Sequence, residues 1–524
     1  MIVLLCEELE RLGGGLDLVE IEQWLGSRKP GVEVRRTSGP CQRPERCLNP
    51  DLKGADRLVL GLCSGNGNRD DLHTRARRLG LDPFAIEAVN LGDHCSLALP
   101  RTQATERAKL LLAGALAKAR AHTGIRPENT KPVLSWDRQV TRRSLFTLPP
   151  IRYEAVPSVR SEACAAEQGC RVCANLCPRE ALVASDDGRM TLAKAQCTGC
   201  GACVSSCPRE AFDFPGAPLR GVEAQIAALL DTASLTPSPR GILFLCPKGV
   251  SALEGLPRTG FSYPAMWLPV EVPCLGMVTP GWILECLNQG AAAVGLLPCL
   301  REDCRFGRQE IIEGRANYCR ALLQMIGGAP ETLRLLDPAD AAELARGLSI
   351  LPTSERSDKA NALQPVPRLA SRATGQAVLE LAQQFDAPLN RRLSHSQSPL
   401  GVVEFADGCT ACGACASACP TDALALERDE EGVSISFNAR ACIACEDCVP
   451  VCPERVVRVE KVTDFPRLAE GKHVLYRGGE ARCVKCGAPV APRAMLDRIG
   501  GLLGRHPAIS MIRQYCLECR KTMQ

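Results

Sequence analysis

The alternation of apolar and polar positions divides the chain into regions of different character. Over residues 1–125, short apolar runs at 2–5, 32–34 and 58–62 and an extended piece at 85–90 have the length and patterning of strands. Stretches at 16–25, 71–79 and about 105–121 carry helical spacing instead. Strands alternating with helices predict a parallel α/β sheet. Residues 238–352 repeat the pattern, with strands at 241–245, 270–272, 294–297 and 333–336 and helices at 282–288 and 316–326. A helical linker at 222–230 precedes this second region. Residues 353–398 are rich in Ser, Pro, Arg and Gln, which predicts an exposed tether carrying one docking helix at 376–385.

A chain of 524 residues exceeds one core and implies three to five domains. Its 63 basic and 59 acidic residues nearly balance, and no basic stripe marks a nucleic-acid binder. No apolar run approaches the roughly 18 to 20 residues of a membrane helix, and the start lacks a basic leader and a small-residue cleavage site. A cytoplasmic protein that does not span a membrane is the expectation. The 31 cysteines change the picture, because most stand at metal-ligand spacings and therefore need a reducing compartment.

Cys409, Cys412, Cys415 and Cys419-Pro420 are followed by Cys442, Cys445, Cys448 and Cys452-Pro453. Each half reads C-x2-C-x2-C-x3-C-P, the run by which bacterial-type ferredoxins hold iron–sulfur clusters. Three thiolates of one half bind a [4Fe–4S] cube and the fourth crosses to the other cube. Cys409, Cys412, Cys415 and Cys452 therefore form one set, and Cys442, Cys445, Cys448 and Cys419 the other. Upstream, Cys197, Cys200, Cys203 and Cys207-Pro208 repeat the run. Cys170, Cys173 and Cys177-Pro178 keep it too, but Cys164 stands six positions before Cys170 instead of three. Residues 165–169 can bulge outward without moving the ligands, giving the sets Cys164, Cys170, Cys173, Cys207 and Cys197, Cys200, Cys203, Cys177. The alternative is a displaced Cys164 and a labile or three-iron cluster.

In the N-terminal region Cys6, Cys41 or Cys47, Cys63 and Cys95 each lie just beyond a strand, where the carboxyl edge of a parallel sheet gathers ligands. Core thiols are the other reading. Val59 to Ser64, Asp71-Leu72-His73, Gly80 to Phe84, Ala88-Val89-Asn90 and Asp93 to Ser96 resemble the amino-terminal domain of the A subunit of heterodisulfide reductase, a [4Fe–4S] domain that precedes a flavin domain in that family. The resemblance implies Cys6, Cys63, Cys95 and one of Cys41 or Cys47 as ligands. Cys41 has the spacing to Cys63 nearer to the family's. His73 and His94 come with the match as supporting residues. The family's Gly-rich flavin site does not follow: Gly13-Gly14-Gly15 trails a helical pattern, and Gly65-x-Gly67 lacks the rest of a dinucleotide fingerprint. No flavin is expected.

In the second α/β region Cys246, Cys274 and Cys299 also end strands, and Cys304 adds a fourth thiol from the adjoining loop. Val272 to Gly276, Ile283-Leu284-Glu285, Gly290-Ala291 and Gly295 through Cys299 to Cys304 resemble the delta subunit of methyl-viologen-reducing hydrogenase, whose [2Fe–2S] cluster links hydrogenase to heterodisulfide reductase. That resemblance implies Cys246, Cys274, Cys299 and Cys304 as ligands. The family usually has a second cysteine shortly after the first, where this chain has Pro247 to Val250. Cys286 and Cys319 lie within helical patterns and read as core.

Cys483-x2-Cys486-Gly487 and Cys516-x2-Cys519 form two knuckles that suit tetrahedral zinc, with mononuclear iron or another cluster as the alternative. A helix at 493–503 lies between them. The expected architecture is multidomain α/β plus α+β. It comprises a cluster domain (1–125), a two-cube ferredoxin (150–217), a [2Fe–2S] α/β domain (238–352), a linker (353–398), a second ferredoxin (399–462) and a zinc-ribbon-like module (472–524). Many one-electron centres without an organic cofactor describe an electron-transfer subunit. It would link a hydrogenase, a formate-dehydrogenase-like enzyme or a flavoprotein to an acceptor such as ferredoxin or a heterodisulfide-reductase-like module. A self-contained reductase with substrate at an open cluster, and a redox sensor, are the competing readings.

Overall fold

The computed structural model describes residues 1–28, 31–38, 48, 50–52, 54–64, 69–124, 129–134, 151–231, 239–299, 304–338, 340–349, 368–504, 506 and 508–522. Among them, the first region forms a parallel sheet in which Ile2–Cys6 pairs with Glu33–Thr37 on one side and Leu58–Leu62 on the other, with Ile86–Asn90 beyond. Ile2–Cys6 and Leu58–Leu62 are buried along their whole length, as central parallel strands covered on both faces must be. Glu33–Thr37 extends past the apolar pair Val32 and Val34 that marks it in the sequence. It is an edge strand, and its Arg36 reaches Glu22 at 2.5 Å and Glu10 at 3.0 Å.

Helix Arg101–Arg120 begins directly after Pro100 and is buried over most of its length, including Arg107 and Lys109. The helix at Leu219–Leu230 reads as a linker in the sequence, yet it packs along Arg101–Arg120. Gly114 allows the approach, since a Cβ there would stand 3.0 Å from Leu229.

The second region repeats the first topologically. Gly241–Leu245 lies between Trp267–Glu271 and Ala293–Leu297, with Leu333–Leu335 outermost, all parallel. Trp267 and Trp282 are fully buried, and their indole N–H groups donate to Leu348 O and Leu369 O, both at 2.9 Å. A helix at Pro247–Gly255 follows Cys246 with proline in its first turn.

Part of the expected tether, residues 353–367, lies outside the described residues, and the remainder is built into the structure. Helix Thr374–Gln384 buries Ala377, Val378, Leu379, Leu381 and Ala382 against helix Pro280–Asn288. Small residues make this possible where composition suggests exposure: a Cβ on Gly375 would stand 2.3 Å from Arg440 O, and one on Gly281 2.4 Å from Thr374 Oγ1. Arg392–Ser394 then pairs with Val457–Asp464, which pairs with Gly401–Phe405. Lys472–Gly478, at the start of the expected C-terminal module, pairs with Val433–Asn438 of the preceding unit. The remaining C-terminal elements are the hairpin Glu480–Arg482 and Pro489–Pro492 and the helices Arg493–Leu503, Ala508–Gln514 and Leu517–Lys521. No helix among the described residues is long and apolar enough to cross a membrane.

Candidate metal centres

The four Cys-Pro turns share one backbone device. Three residues after Cys177, Cys207, Cys419 and Cys452 stand Glu180, Glu210, Asp422 and Arg455, with φ between 50° and 56°. Each of these residues donates its amide N–H to the cysteine carbonyl three positions back, at 3.2 to 3.3 Å. Proline after the cysteine offers no N–H, so this left-handed residue closes the turn instead. Further amides point at sulfur: Ala181 N–H at Cys177 Sγ and Ala211 N–H at Cys207 Sγ (3.3 Å each), and Gly199 N–H at Cys197 Sγ and Ala411 N–H at Cys409 Sγ (3.4 Å each). Such donors favour the thiolate over the thiol.

The chain brings the thiols together in crossed sets. Cys164 and Cys207 act electrostatically on both Cys170 and Cys173. Cys177 acts on Cys197, Cys200 and Cys203. In the downstream unit one recess is lined by Cys409, Cys412, Cys415, Cys452 and Pro453, and a second by Cys419, Cys442, Cys445 and Cys448. The extra residues after Cys164 form a short 3-10 turn, Ala166–Gln168, that ends on Gly169 at φ 97°. Only a residue tolerant of that conformation reverses the chain there, and Cys164 remains beside Cys170. Burial, reinforced by neighbouring thiols, pushes Cys173, Cys415 and Cys448 up to about 12, and burial pushes Cys170 and Cys442 to about 11. Crowded buried thiols are stable as thiolates only beside a compensating cation, so these sets fit iron–sulfur clusters.

At the edge of the second parallel sheet, Cys246 interacts with Cys299, Cys299 with Cys304, and Cys304 with Cys274. The contact with Cys274 is the main cause holding Cys304 down at about 5, whereas burial raises Cys299 to about 12. Cys246 occupies the N-cap position of the helix Pro247–Gly255 without a side-chain capping bond. Buried Arg315 reaches Gly276 O (2.9 Å) and Val278 O (3.1 Å), adding positive charge near Cys274. Cys286 and Cys319 are wholly buried inside helices, apart from this set.

In the first sheet the ends that carry Cys6 and Cys63 are neighbours in register, and Cys95 lies in a π-turn, Gly92–Ser96, after the adjoining strand. A Cβ on Gly92 would stand 1.9 Å from Cys63 O, so the π-turn seats directly on Cys63. Cys41 and Cys47 lie outside the described residues. His94 Nδ1 is 2.8 Å from Tyr263 Oη, and His73 packs against Phe84, so neither ring is directed at sulfur by these contacts. At the C-terminus the sulfurs of Cys483, Cys486, Cys516 and Cys519 all lie within 4.8 Å of one another, a donor set that fits one tetrahedral ion.

Contacts near the sets join regions that are distant in the sequence. Beside Cys63 and Cys95, Ser64 and Asp93 accept hydrogen bonds from Arg258, at 2.6 and 3.0 Å, which ties the first sheet edge to the second domain. Beside Cys304, Arg305 O accepts from Thr198 of the upstream ferredoxin-like unit at 2.9 Å. That unit meets the downstream one through Arg209 and Asp422 at 3.2 Å. Glu454, two residues past Cys452, pairs with Arg498 of the C-terminal module at 3.0 Å. Sequence reasoning did not find these bridging residues. They carry no local spacing signal, and Arg209 and Asp422 are 213 positions apart.

Fold and thiol sets define a multidomain iron–sulfur protein containing ferredoxin-like 4Fe–4S domains. Family comparison places a 4Fe-4S binding domain at residues 194–213, a 4Fe-4S dicluster domain at 408–456 and the delta subunit of methyl-viologen-reducing hydrogenase at 242–349. Among curated relatives, the chain is 28% identical over 123 residues to a heterodisulfide reductase A-subunit-like protein of Archaeoglobus profundus, covering 22% of this chain and 18% of the relative. It is 28% identical over 123 residues to the second iron-sulfur A-subunit of CoB–CoM heterodisulfide reductase of Methanopyrus kandleri, covering 22% and 19%. It is also 28% identical over 129 residues to the D-type iron-sulfur subunit of the vhu F420-non-reducing hydrogenase of Methanococcus voltae, covering 24% of this chain and 91% of that relative. The chain thus spans under a fifth of the two reductase relatives and most of the hydrogenase relative.

Proposed function

We propose that the chain is the multi-cluster electron-transfer subunit of a larger oxidoreductase. It relays electrons between a partner, such as a hydrogenase, a formate-dehydrogenase-like enzyme or a flavoprotein, and an acceptor such as ferredoxin or a heterodisulfide-reductase-like module. The observation that carries this reading is the crossed pairing of thiols repeated in two units. Cys164, Cys170, Cys173 and Cys207 would hold one [4Fe–4S] cluster, and Cys177, Cys197, Cys200 and Cys203 a second. Cys409, Cys412, Cys415 and Cys452 would hold a third, and Cys419, Cys442, Cys445 and Cys448 a fourth. Cys6, Cys63 and Cys95 with Cys41 or Cys47 would hold a fifth. Cys246, Cys274, Cys299 and Cys304 would hold a [2Fe–2S] cluster, and Cys483, Cys486, Cys516 and Cys519 a zinc ion closing a small ribbon-like module. When bound, each iron–sulfur cluster supplies a centre that accepts or releases one electron. The residues around it exclude water, orient sulfur and set how readily that electron is held.

Protein purified without oxygen is expected to carry about 22 irons (five four-iron clusters and one two-iron cluster), about one zinc and no flavin. It is expected to show no turnover alone and to support dye or ferredoxin reduction when its partner is added. Bound flavin, or substrate turnover by the isolated chain, would overturn the relay reading.

A further inference from the structure

We infer that Asp447 is a positioning residue shared by the two ferredoxin-like units, holding the Cys170 set against the Cys445 set and setting the reduction equilibrium of the groups in both. This rests on the reading that both sets hold [4Fe–4S] clusters. Asp447 lies between Cys445 and Cys448 and is only 8% exposed. Its Oδ2 accepts a hydrogen bond at 3.4 Å from the backbone amide of Arg171, which lies between Cys170 and Cys173 in the other unit. The Arg171 guanidinium donates to Ala166 O at 2.9 Å and Cys170 O at 2.8 Å and acts on the carboxylate only through space. The carboxylate thus stands two residues from Cys445 and one from Cys448 in one unit, and is held by the amide that follows Cys170 in the other.

Three further contacts clamp the same faces. Arg209, two residues after Cys207, meets Asp422, three residues after Cys419, at 3.2 Å. Ser371 Oγ donates to Ser206 O at 3.2 Å and Arg372 meets Glu210 at 3.1 Å, so the segment leading into helix Thr374–Gln384 also grips the Cys207 turn. A negative charge in a water-poor junction opposes the addition of an electron on either side of it, because Coulomb interactions there are weakly screened. Asp447→Asn keeps an oxygen acceptor for the Arg171 amide and removes the charge.

The test uses the full chain, loaded with its clusters and purified without oxygen. Iron and sulfide are counted, then dithionite titrations are followed by electron paramagnetic resonance in wild type and D447N. The expected result is an unchanged iron count with two of the four ferredoxin-type centres easier to reduce by about tenfold each, roughly 59 mV for a one-electron couple. A shift confined to one centre, or to none, at full iron would overturn the shared role and leave the relay reading intact. A wild-type iron count below about 16 would instead overturn the cluster reading, and this inference with it. If D447N loses iron, Arg209→Glu tests the junction from its exposed rim. It faces Asp422 with a like charge and is expected to weaken the magnetic broadening between centres of the two units at full iron. An unchanged spectrum would overturn the face-to-face arrangement.

Discussion

Tyr263 is the pivot between the two parallel-sheet domains, and Tyr263→Phe isolates its contribution. The phenol is 2% exposed, and its oxygen accepts a hydrogen bond from Arg107 Nη2 at 2.8 Å while lying 2.8 Å from His94 Nδ1. Arg107 is wholly buried and lies over the Tyr263 ring at 4.7 Å from its centroid. Its Nη2 also donates to Trp267 O at 2.7 Å, while its Nε and Nη1 have no partner among the described residues. Phenylalanine preserves the packing and removes the hydroxyl shared by Arg107 and His94. A hydrogen bond to a charged group contributes roughly 1.5 to 3 kcal/mol and a further one roughly 0.5 to 1.5, so the loss is about 2 to 4.5 kcal/mol. Multidomain unfolding is not two-state, so the cost is best read locally by hydrogen exchange of residues 91–97 and 266–270. If these amides exchange through separation of the domains, their rates are expected to rise by about 30- to 1,600-fold, one decade per roughly 1.4 kcal/mol. Tyr153→Phe, at a side chain 44% exposed, is the control and is expected to change little. A rise below about threefold in Y263F would refute the claim that this phenol ties the domains together.

Gly92→Ala places a Cβ 1.9 Å from Cys63 O, a backbone atom that cannot move aside cheaply. The expected outcome is loss of about four irons of roughly 22, with the ferredoxin-type signals kept; full iron would show that the π-turn is not part of that centre. Gly375→Ala meets Arg440 O at 2.3 Å and is expected to free the docking helix, read as new protease cleavage within residues 371–385 and no cleavage there in wild type. Cys516→Ser removes one of four sulfurs that lie within 4.8 Å and is expected to abolish the single zinc while leaving the iron count unchanged; retained zinc would refute the site. Glu223 is buried, accepts from Leu369 N–H at 2.9 Å and is held above its ordinary 4.5, chiefly by burial. The folded state therefore binds the proton more tightly than the unfolded state, so this group's contribution to stability falls as pH rises from the unfolded value through the raised one. Comparison of wild type with Glu223→Gln by exchange at the Leu369 amide is expected to show that slope in wild type only.

The grouping of cysteines in the two ferredoxin-like units is legible because their short, regular spacings survive in one dimension. The central strands were legible because Leu58–Leu62 and Gly241–Leu245 are buried on both faces and so read as unbroken apolar runs. The edge strand Glu33–Thr37 was read short because ion pairs, not apolar contacts, hold its arginines. Lys472–Gly478, at the start of the expected C-terminal module, pairs with Val433–Asn438, and such cross-strand pairing leaves no trace in local composition. The docking helix expected at 376–385 lies at Thr374–Gln384, but the depth of its burial is not legible in the sequence for a related reason. Its burial comes from small residues admitting a neighbouring backbone, and composition registers those as polarity and flexibility.

The spatial order of the domains follows from the same distinction between local and distant signals. The cysteine runs of the ferredoxin-like units are closed by turns a few residues long, whereas the strand-end cysteines are gathered by the parallel sheets. Single residues join the regions: Arg258 meets Asp93, Thr198 donates to the Arg305 carbonyl, Arg209 meets Asp422 and Glu454 meets Arg498. These contacts tie the third region to both the first and the second, and the second to the fourth. The long segment that returns the chain from the third region to the fourth passes beside the Cys207 turn and grips it with Ser371 and Arg372. The connection thus helps to hold two cysteine sets in register, which explains why its described part is packed and hydrogen-bonded although its composition is that of a spacer.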